Sequence, residues 1–129
     1  MDETVSRLEL NRIARKIIGC AYEVGKHLKY GYLEKVYENA LVYEIRKSGL
    51  KVQQQHGISV KYKDIIAGEY AADLLVESCV LVELKTAKAI DAAHIAQCLN
   101  YLTATDLRLG LLINFGEGKI EFKRLVHHF

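Results

Sequence analysis

Hydrophobic residues recur at steps of three and four along the first third of the chain. This spacing places them on one face and is typical of an amphipathic helix. The first helix ends before an interruption at residues 29–32, and a second runs from about residue 33 to residue 47, where Ser48 and Gly49 form a stop signal. The apolar positions that predict the two helices are Leu10, Ile13, Ile17, Ala21, Val24 and Leu28, followed by Val36, Ala40, Leu41 and Ile45.

The period of the pattern changes to two after residue 50. Alternating apolar and β-forming residues predict three strands. A helical pattern then returns with Asp91 as its N-cap, and a buried apolar run and a last strand follow. The order ααβββαββ predicts an α/β sandwich with a mixed central sheet flanked by helices. The predicted strands are 51–62, 66–76, 79–85, 109–115 and 120–126, and the helix spans about 91–105.

Composition predicts one globular domain over residues 1–129. Half of the residues are hydrophobic and 26% are charged, and no proline, linker or repeat divides the chain. The longest apolar run, residues 79–82, is far too short to span a membrane, and the acidic start lacks the apolar region of a secretory signal. Three widely spaced cysteines argue against a disulfide framework and a structural zinc site. We therefore expect a cytoplasmic protein without a membrane partner.

Net charge is only +2, but the charge is unevenly distributed. Residues 1–64 contain twelve Lys or Arg against eight Asp or Glu, and residues 65–129 contain six against eight. A mildly basic first half can meet a phosphate backbone, yet dedicated nucleic-acid binders are far more basic. Charge alone therefore does not assign a function.

Two strands on either side of Ser78 carry three charged side chains among apolar neighbours. In a hairpin centred on Ser78, Asp73 lies opposite Glu83, because each is five residues from the centre. Side chains alternate between the faces of a strand, so Glu83 and Lys85 project to the same side. Opposed carboxylates destabilise a sheet unless a positive charge lies between them, and Mg²⁺ binds one or two carboxylates. The pattern indicates a cation site, with a solvated salt-bridge cluster as the alternative.

Two further groups of polar side chains share helix faces. His94, Gln97 and Tyr101 lie at i, i+3 and i+7 on the third predicted helix, and Glu34 and Tyr37 share a face of the second. Each group also has a structural interpretation. Glu34 can cap its helix, and Tyr37 can pack in the core. On the third helix, Gln97 and Tyr101 can bond to the sheet, and His94 can be a solvated neighbour of the site.

Residues 31–37, with the sequence Gly-Tyr-Leu-Glu-Lys-Val-Tyr, resemble the signature of the GxxExxY proteins of the PD-(D/E)XK nuclease superfamily. The resemblance extends from about Ile13 to Val126 and departs from the superfamily name in one place, where Ala72 replaces the proline before Asp73. It includes residues 68–73, the E-x-K element at 82–85, a Q-h-x-x-Y-like motif at 97–101 and the strand at 109–115.

The resemblance implies an αβββαβ core and a nuclease that hydrolyses phosphodiester bonds with Mg²⁺ or Mn²⁺. We expect DNA as the nucleic acid, and a homodimer is one option for the assembly. A catalytically weak nucleic-acid-binding module and a protein-interaction subunit remain alternatives on the same fold. The implied roles are metal ligation by Asp73, Glu83 and the Leu84 carbonyl, catalysis by Lys85, a helix carboxylate near the metal at Glu34, and shaping of the site by Gln97 and Tyr101.

Overall fold

The described part of the chain, residues 4–129 of a computed structural model, folds into three α-helices and five β-strands. The predicted order ααβββαββ is confirmed, and the strand ends lie within one residue of their predicted positions. The helices are α1 (Arg7–His27), α2 (Glu34–Lys47) and α3 (Ala92–Thr105). The strands are β1 (Val52–Tyr62), β2 (Ile65–Val76), β3 (Val80–Lys85), β4 (Leu109–Asn114) and β5 (Glu121–Val126).

The strands form one sheet in the order β1-β2-β3-β4-β5. β3 and β4 are parallel, and every other neighbouring pair is antiparallel. A parallel pair needs a crossover connection, which α3 supplies. The mixed sheet with flanking helices confirms the predicted fold class.

Helices cover both faces of the sheet. α1 and α2 pack on one face, where their apolar stripes meet inward-facing residues of β2, β3 and β4. α3 packs on the other face over a smaller cluster that includes Ile58, Ala72 and Leu81 from the strands. Apolar burial on both faces therefore holds the sheet in place between the helices.

The predicted apolar face of α2 is partly wrong. Val36 is 38% exposed and does not pack on the sheet, whereas the half-buried Ala40 packs against the core as predicted. The buried face instead follows Tyr37, whose ring stacks on Phe115 with the ring centroids 5.0 Å apart. This large aromatic contact turns the helix so that the buried stripe starts one residue after Val36.

The structure also tests two expectations from composition. Within residues 4–129, no helix is both long enough and apolar enough to cross a membrane. The three cysteines are free thiols, and Cys20 and Cys98 are buried. All three pack among apolar residues and act as small apolar side chains.

Candidate active site

β2 and β3 separate at the two predicted metal ligands. The last antiparallel pair joins Leu74 to Val82, one step before Asp73 and Glu83, so the predicted register is observed. Beyond this pair, β2 continues beside β1 alone. We call the point of separation, formed by Asp73, Glu83 and Leu84, the strand fork.

Side chains replace backbone hydrogen bonds in the strand fork. The Asp73 amide donates to Oε2 of Glu83 at 2.8 Å, and the Leu84 amide donates to Oδ2 of Asp73 at 2.7 Å. Each carboxylate thus satisfies an amide of the opposite strand, which orients both acids firmly. The strands open while the two carboxylates stay side by side.

The strand fork holds negative charge in a poorly solvated place. Glu83 is only 5% exposed, and burial followed by repulsion from Asp73 raises its pKa to about 8. Burial also raises the pKa of Asp73, and the backbone hydrogen bond from Leu84 only partly opposes this effect. A cation near both carboxylates would favour their ionised forms.

Lys85 ends β3 and points to α3. Its Nζ donates to Oε1 of Gln97 at 3.2 Å, so the predicted helix face lies against the ammonium group. Gln97 thereby orients Lys85 beside the carboxylates, whose charges the ammonium partly offsets. The structure brings Lys85 and Gln97 together with the strand fork.

Glu34 is the first residue of α2 and faces the same region. The N-cap of α2 is Leu33, and no side chain makes a capping hydrogen bond there. Burial raises the pKa of Glu34, and the charge of Asp73 raises it further, while Lys85 lowers it. The Glu34 carboxylate therefore interacts electrostatically with the residues of the strand fork and makes no capping hydrogen bond.

Tyr101 lies beside the strand fork on α3. Burial raises the pKa of its hydroxyl, and the charge of Glu83 adds to this effect. Its ring centroid is 5.7 Å from that of Tyr70 on β2. His94, two turns earlier, forms a reciprocal capping box with the N-cap Asp91 in the first turn of the helix. α3 thus presents Gln97 and Tyr101 to the site from a capped helix.

Sequence reasoning missed a second layer of contacts behind Asp73. Glu38 is 3% exposed and binds Lys35 Nζ at 2.9 Å. Gln55 donates to Oε1 of Glu38 at 3.1 Å and to Oδ1 of Asp73 at 3.4 Å. The i+4 spacing from Glu34 is a signal for Glu38. Gln55 has no such signal, because its φ of 54° interrupts the regular strand.

The loop after Lys85 is fixed by β4. Buried Asn114 accepts from the Ala87 amide and donates to the Ala87 carbonyl, both at 2.9 Å. A Cβ on Gly116 would lie 1.9 Å from the same carbonyl, so only glycine allows this approach. These contacts hold the end of β3 and therefore Lys85.

Oxygen donors suited to a hard divalent cation meet in the strand fork. Asp73 and Glu83 supply carboxylates. The Lys85 carbonyl accepts from the Phe115 amide, so alternation turns the Leu84 carbonyl to the opposite side, toward Asp73. Within residues 4–129, no group of three or more His, Cys, Asp or Glu side chains is placed to hold a metal. Two carboxylates and a carbonyl still fit Mg²⁺, which keeps several waters.

The sequence matches a known family over most of its length. The family model of the PD-(D/E)XK nuclease superfamily matches residues 11–125. The chain belongs to this superfamily. PD-(D/E)XK nucleases generally use divalent metal ions, in agreement with the carboxylate pair of the strand fork.

Two solved structures share the PD-(D/E)XK fold of this chain. The crystal structure of SSO0001 aligns with a TM-score of 0.57 at 14% identity over 74% of this chain and 50% of that one. The crystal structure of an alkaline exonuclease (LHK-Exo) from Laribacter hongkongensis aligns with a TM-score of 0.56 at 14% identity, over 96% of this chain and 72% of that one. This chain thus spans half the length of SSO0001. No curated protein matches the chain.

Proposed function

We propose that this chain is a divalent-metal-dependent nuclease that hydrolyses phosphodiester bonds in DNA. The observation that carries the proposal is the strand fork, where the Asp73 and Glu83 carboxylates are held side by side with Lys85 at the end of the same strand. Membership in the PD-(D/E)XK superfamily supports the reaction class. The fold similarity to an alkaline exonuclease is consistent with it.

Asp73, Glu83 and the Leu84 carbonyl are the proposed metal ligands, with Mg²⁺ or Mn²⁺ as the cation. When bound, the cation would polarise the scissile phosphate and acidify an attacking water. The hydrogen bonds within the strand fork keep the carboxylates in position before substrate arrives. The donors are therefore already in place, and cation binding requires little reorganisation of these side chains.

Lys85 is the proposed catalytic lysine. Its ammonium group is placed to orient water or to offset the charge that develops on the phosphoryl oxygens. Gln97 holds this group through its side-chain oxygen, and Tyr101 bounds the site next to Glu83. Glu34 would add a third carboxylate near the strand fork, acting on a bound cation through water rather than as a direct ligand.

The subgroup within the superfamily, the number of domains, the location and the oligomeric state remain predictions from the sequence. Residues 31–37 support membership of the GxxExxY group within the superfamily. One domain over residues 1–129, a cytoplasmic location and a homodimer complete the expected description.

A cleavage assay on single- and double-stranded DNA and RNA, with and without Mg²⁺ or Mn²⁺, tests the proposal. We expect metal-dependent cleavage of DNA by the wild type and none by Asp73→Asn. Calorimetry with Mn²⁺ should show a site that the same substitution abolishes. Binding of nucleic acid without cleavage in any metal would contradict the nuclease and favour the binding module.

A further inference from the structure

A groove lies between α3 and the outer part of the β1–β2 hairpin. We call it the hairpin groove. It has a volume of about 880 Å³, and its walls include Val60, Lys61 and Tyr70 from the hairpin and Gln97, Asn100 and Tyr101 from α3. Sites that enclose small organic ligands have volumes of roughly 300–1,000 Å³. The hairpin groove is therefore large enough for a nucleotide.

The hairpin groove shares two of its lining residues, Gln97 and Tyr101, with the proposed site. Gln97 lines it and also accepts the hydrogen bond from Lys85 at 3.2 Å. Tyr101 lines it as well and is close enough to Glu83 for that charge to raise the pKa of its hydroxyl. A ligand in the hairpin groove would thus be adjacent to the strand fork.

Tyr70 presents a fixed aromatic surface to this groove. Its side chain is 52% exposed, and its ring is tilted by 44° to the ring of Tyr101. A Cβ on residue 68 would lie 3.1 Å from Cε2 of Tyr70, so Gly68 lets the ring lie close to the strand. The ring is held from two sides, while about half of its surface remains available for stacking.

The charge of the hairpin groove differs from that of the strand fork. Among the described residues that line it, none is acidic, and Lys61 adds a positive charge. The amides of Asn100 and Gln97 supply hydrogen-bond donors and acceptors. Such a surface accepts a phosphate-bearing chain, which the bare carboxylates of the strand fork repel.

We propose that the hairpin groove binds one nucleotide of an unpaired DNA strand, with its base stacked on Tyr70 and its phosphodiester directed to the strand fork. This inference rests on the proposed nuclease function and assigns it a single-stranded or frayed substrate. Aromatic side chains bind single strands because every base has a face for stacking. A base within a duplex must first leave its stack, which disfavours duplex DNA.

Fluorescence anisotropy with a short labelled DNA oligonucleotide in EDTA tests this inference without turnover. We expect the single strand to bind more tightly than the matching duplex. Tyr70→Ala should weaken single-strand binding about tenfold, the scale of one lost base–aromatic stack, and Tyr70→Phe should bind as the wild type does. Tyr70→Leu provides a second variant that keeps apolar packing without an aromatic ring.

Tyr62→Ala is the matched control. Tyr62 is 60% exposed near the tip of the same hairpin and does not line the hairpin groove. We expect it to leave binding unchanged. Equal loss of binding in Tyr62→Ala and Tyr70→Ala, or duplex binding as tight as single-strand binding, would overturn the inference. Tighter binding of an RNA strand of the same sequence would overturn the assignment to DNA.

A strand containing 2-aminopurine measures the stacking itself. Its fluorescence should be quenched by the wild type and by Tyr70→Phe, but not by Tyr70→Leu. Because this measurement needs no metal, it separates the two proposals. A wild type that quenches the probe but never cleaves refutes only the nuclease, whereas cleavage without Tyr70-dependent quenching refutes only the hairpin groove.

Discussion

The two faces of the central sheet differ in what they bury. Within residues 4–129, the cluster beneath α1 and α2 contains twenty-two buried residues, whereas the cluster beneath α3 contains six. The α3 face instead carries Lys85, Gln97 and the hairpin groove. Close apolar packing leaves no space for a polar cleft. We infer that one face supplies most of the stability and that the other presents the chemistry.

The two faces are joined at one end of the sheet. α2 packs its apolar stripe against the larger core, yet its first residue, Glu34, interacts electrostatically with Asp73 and Lys85. Glu38 on the next turn connects to Asp73 through Gln55. Packing of α2 in the core therefore determines where two of the carboxylates around the strand fork lie.

A core truncation on the α1–α2 face should have the largest effect. Leu41 is fully buried, so Leu41→Ala should lower the free energy of unfolding by about 2–5 kcal/mol. Tyr70→Ala on the α3 face, where the side chain is half-exposed, should lower it by less than about 1 kcal/mol. Urea denaturation of both variants measures the difference. Similar losses in the two variants would contradict the contrast between the faces.

Removing the ammonium group of the α3 face should affect turnover rather than stability. We expect Lys85→Ala to reduce cleavage at least about 100-fold, since one charge stabiliser of the transition state is lost. Mn²⁺ affinity measured by calorimetry should change little. Cleavage at the wild-type rate would show that Lys85 is only an ion-pair partner.

The metal-free protein should lose stability as the pH rises from 6 to 9. The pKa of Glu83 is raised to about 8 in the folded state, so the folded chain binds a proton that the unfolded chain has already released. The resulting stabilisation is complete below the pKa that Glu83 has in the unfolded chain. It disappears as the pH rises through about 8, the pKa of Glu83 in the folded chain. Its loss should reach about 2 kcal/mol, measured by urea denaturation in EDTA.

Glu83→Gln is the control for this pH dependence, because it cannot ionise and should flatten the curve. Added Mn²⁺ should restore stability to the wild type at pH 9, since a ligand that binds only the folded state stabilises it. Constant or rising stability of the metal-free wild type between pH 6 and pH 9 would refute the raised pKa.

Glu34→Gln should have the smallest of these effects. The amide keeps the shape of the side chain but removes its charge, so we expect metal-dependent cleavage to fall by about tenfold. The melting temperature without metal should stay unchanged or rise slightly, because a repulsion with Asp73 is relieved. Unchanged cleavage with a lower melting temperature would instead assign Glu34 a role at the helix end.

Local patterns in the sequence were sufficient to predict the helices and strands, their order and the register of β2 against β3. The turn at Glu77–Ser78 joins β2 and β3 directly, so counting from its centre placed Asp73 opposite Glu83. Register in a short hairpin depends on the turn and on alternation, which are both local. The same locality explains why Asp91 was recognised as the N-cap of α3.

Contacts between elements distant in the sequence were decided only by the tertiary structure. Val36 was assigned to the wrong face because the rotation of α2 depends on Tyr37 stacking on Phe115. Helical periodicity defines an apolar stripe along the helix, but the exact centre of the buried face depends on which large side chain packs against another element. The contacts of Gln55 with Asp73 and Glu38 could not be predicted from the sequence, because the left-handed backbone at Gln55 interrupts the alternation of side chains along β1.

The sequence by itself determined which chemical groups this protein carries and on which elements they lie. The tertiary structure decided how those groups meet. It separated β2 from β3 so that Asp73 and Glu83 bond to opposite backbones, and it left an open groove beside Tyr70. The physical reason is that strand separation and cavity shape depend on packing between elements distant in sequence, whereas periodicity and turns are properties of neighbouring residues.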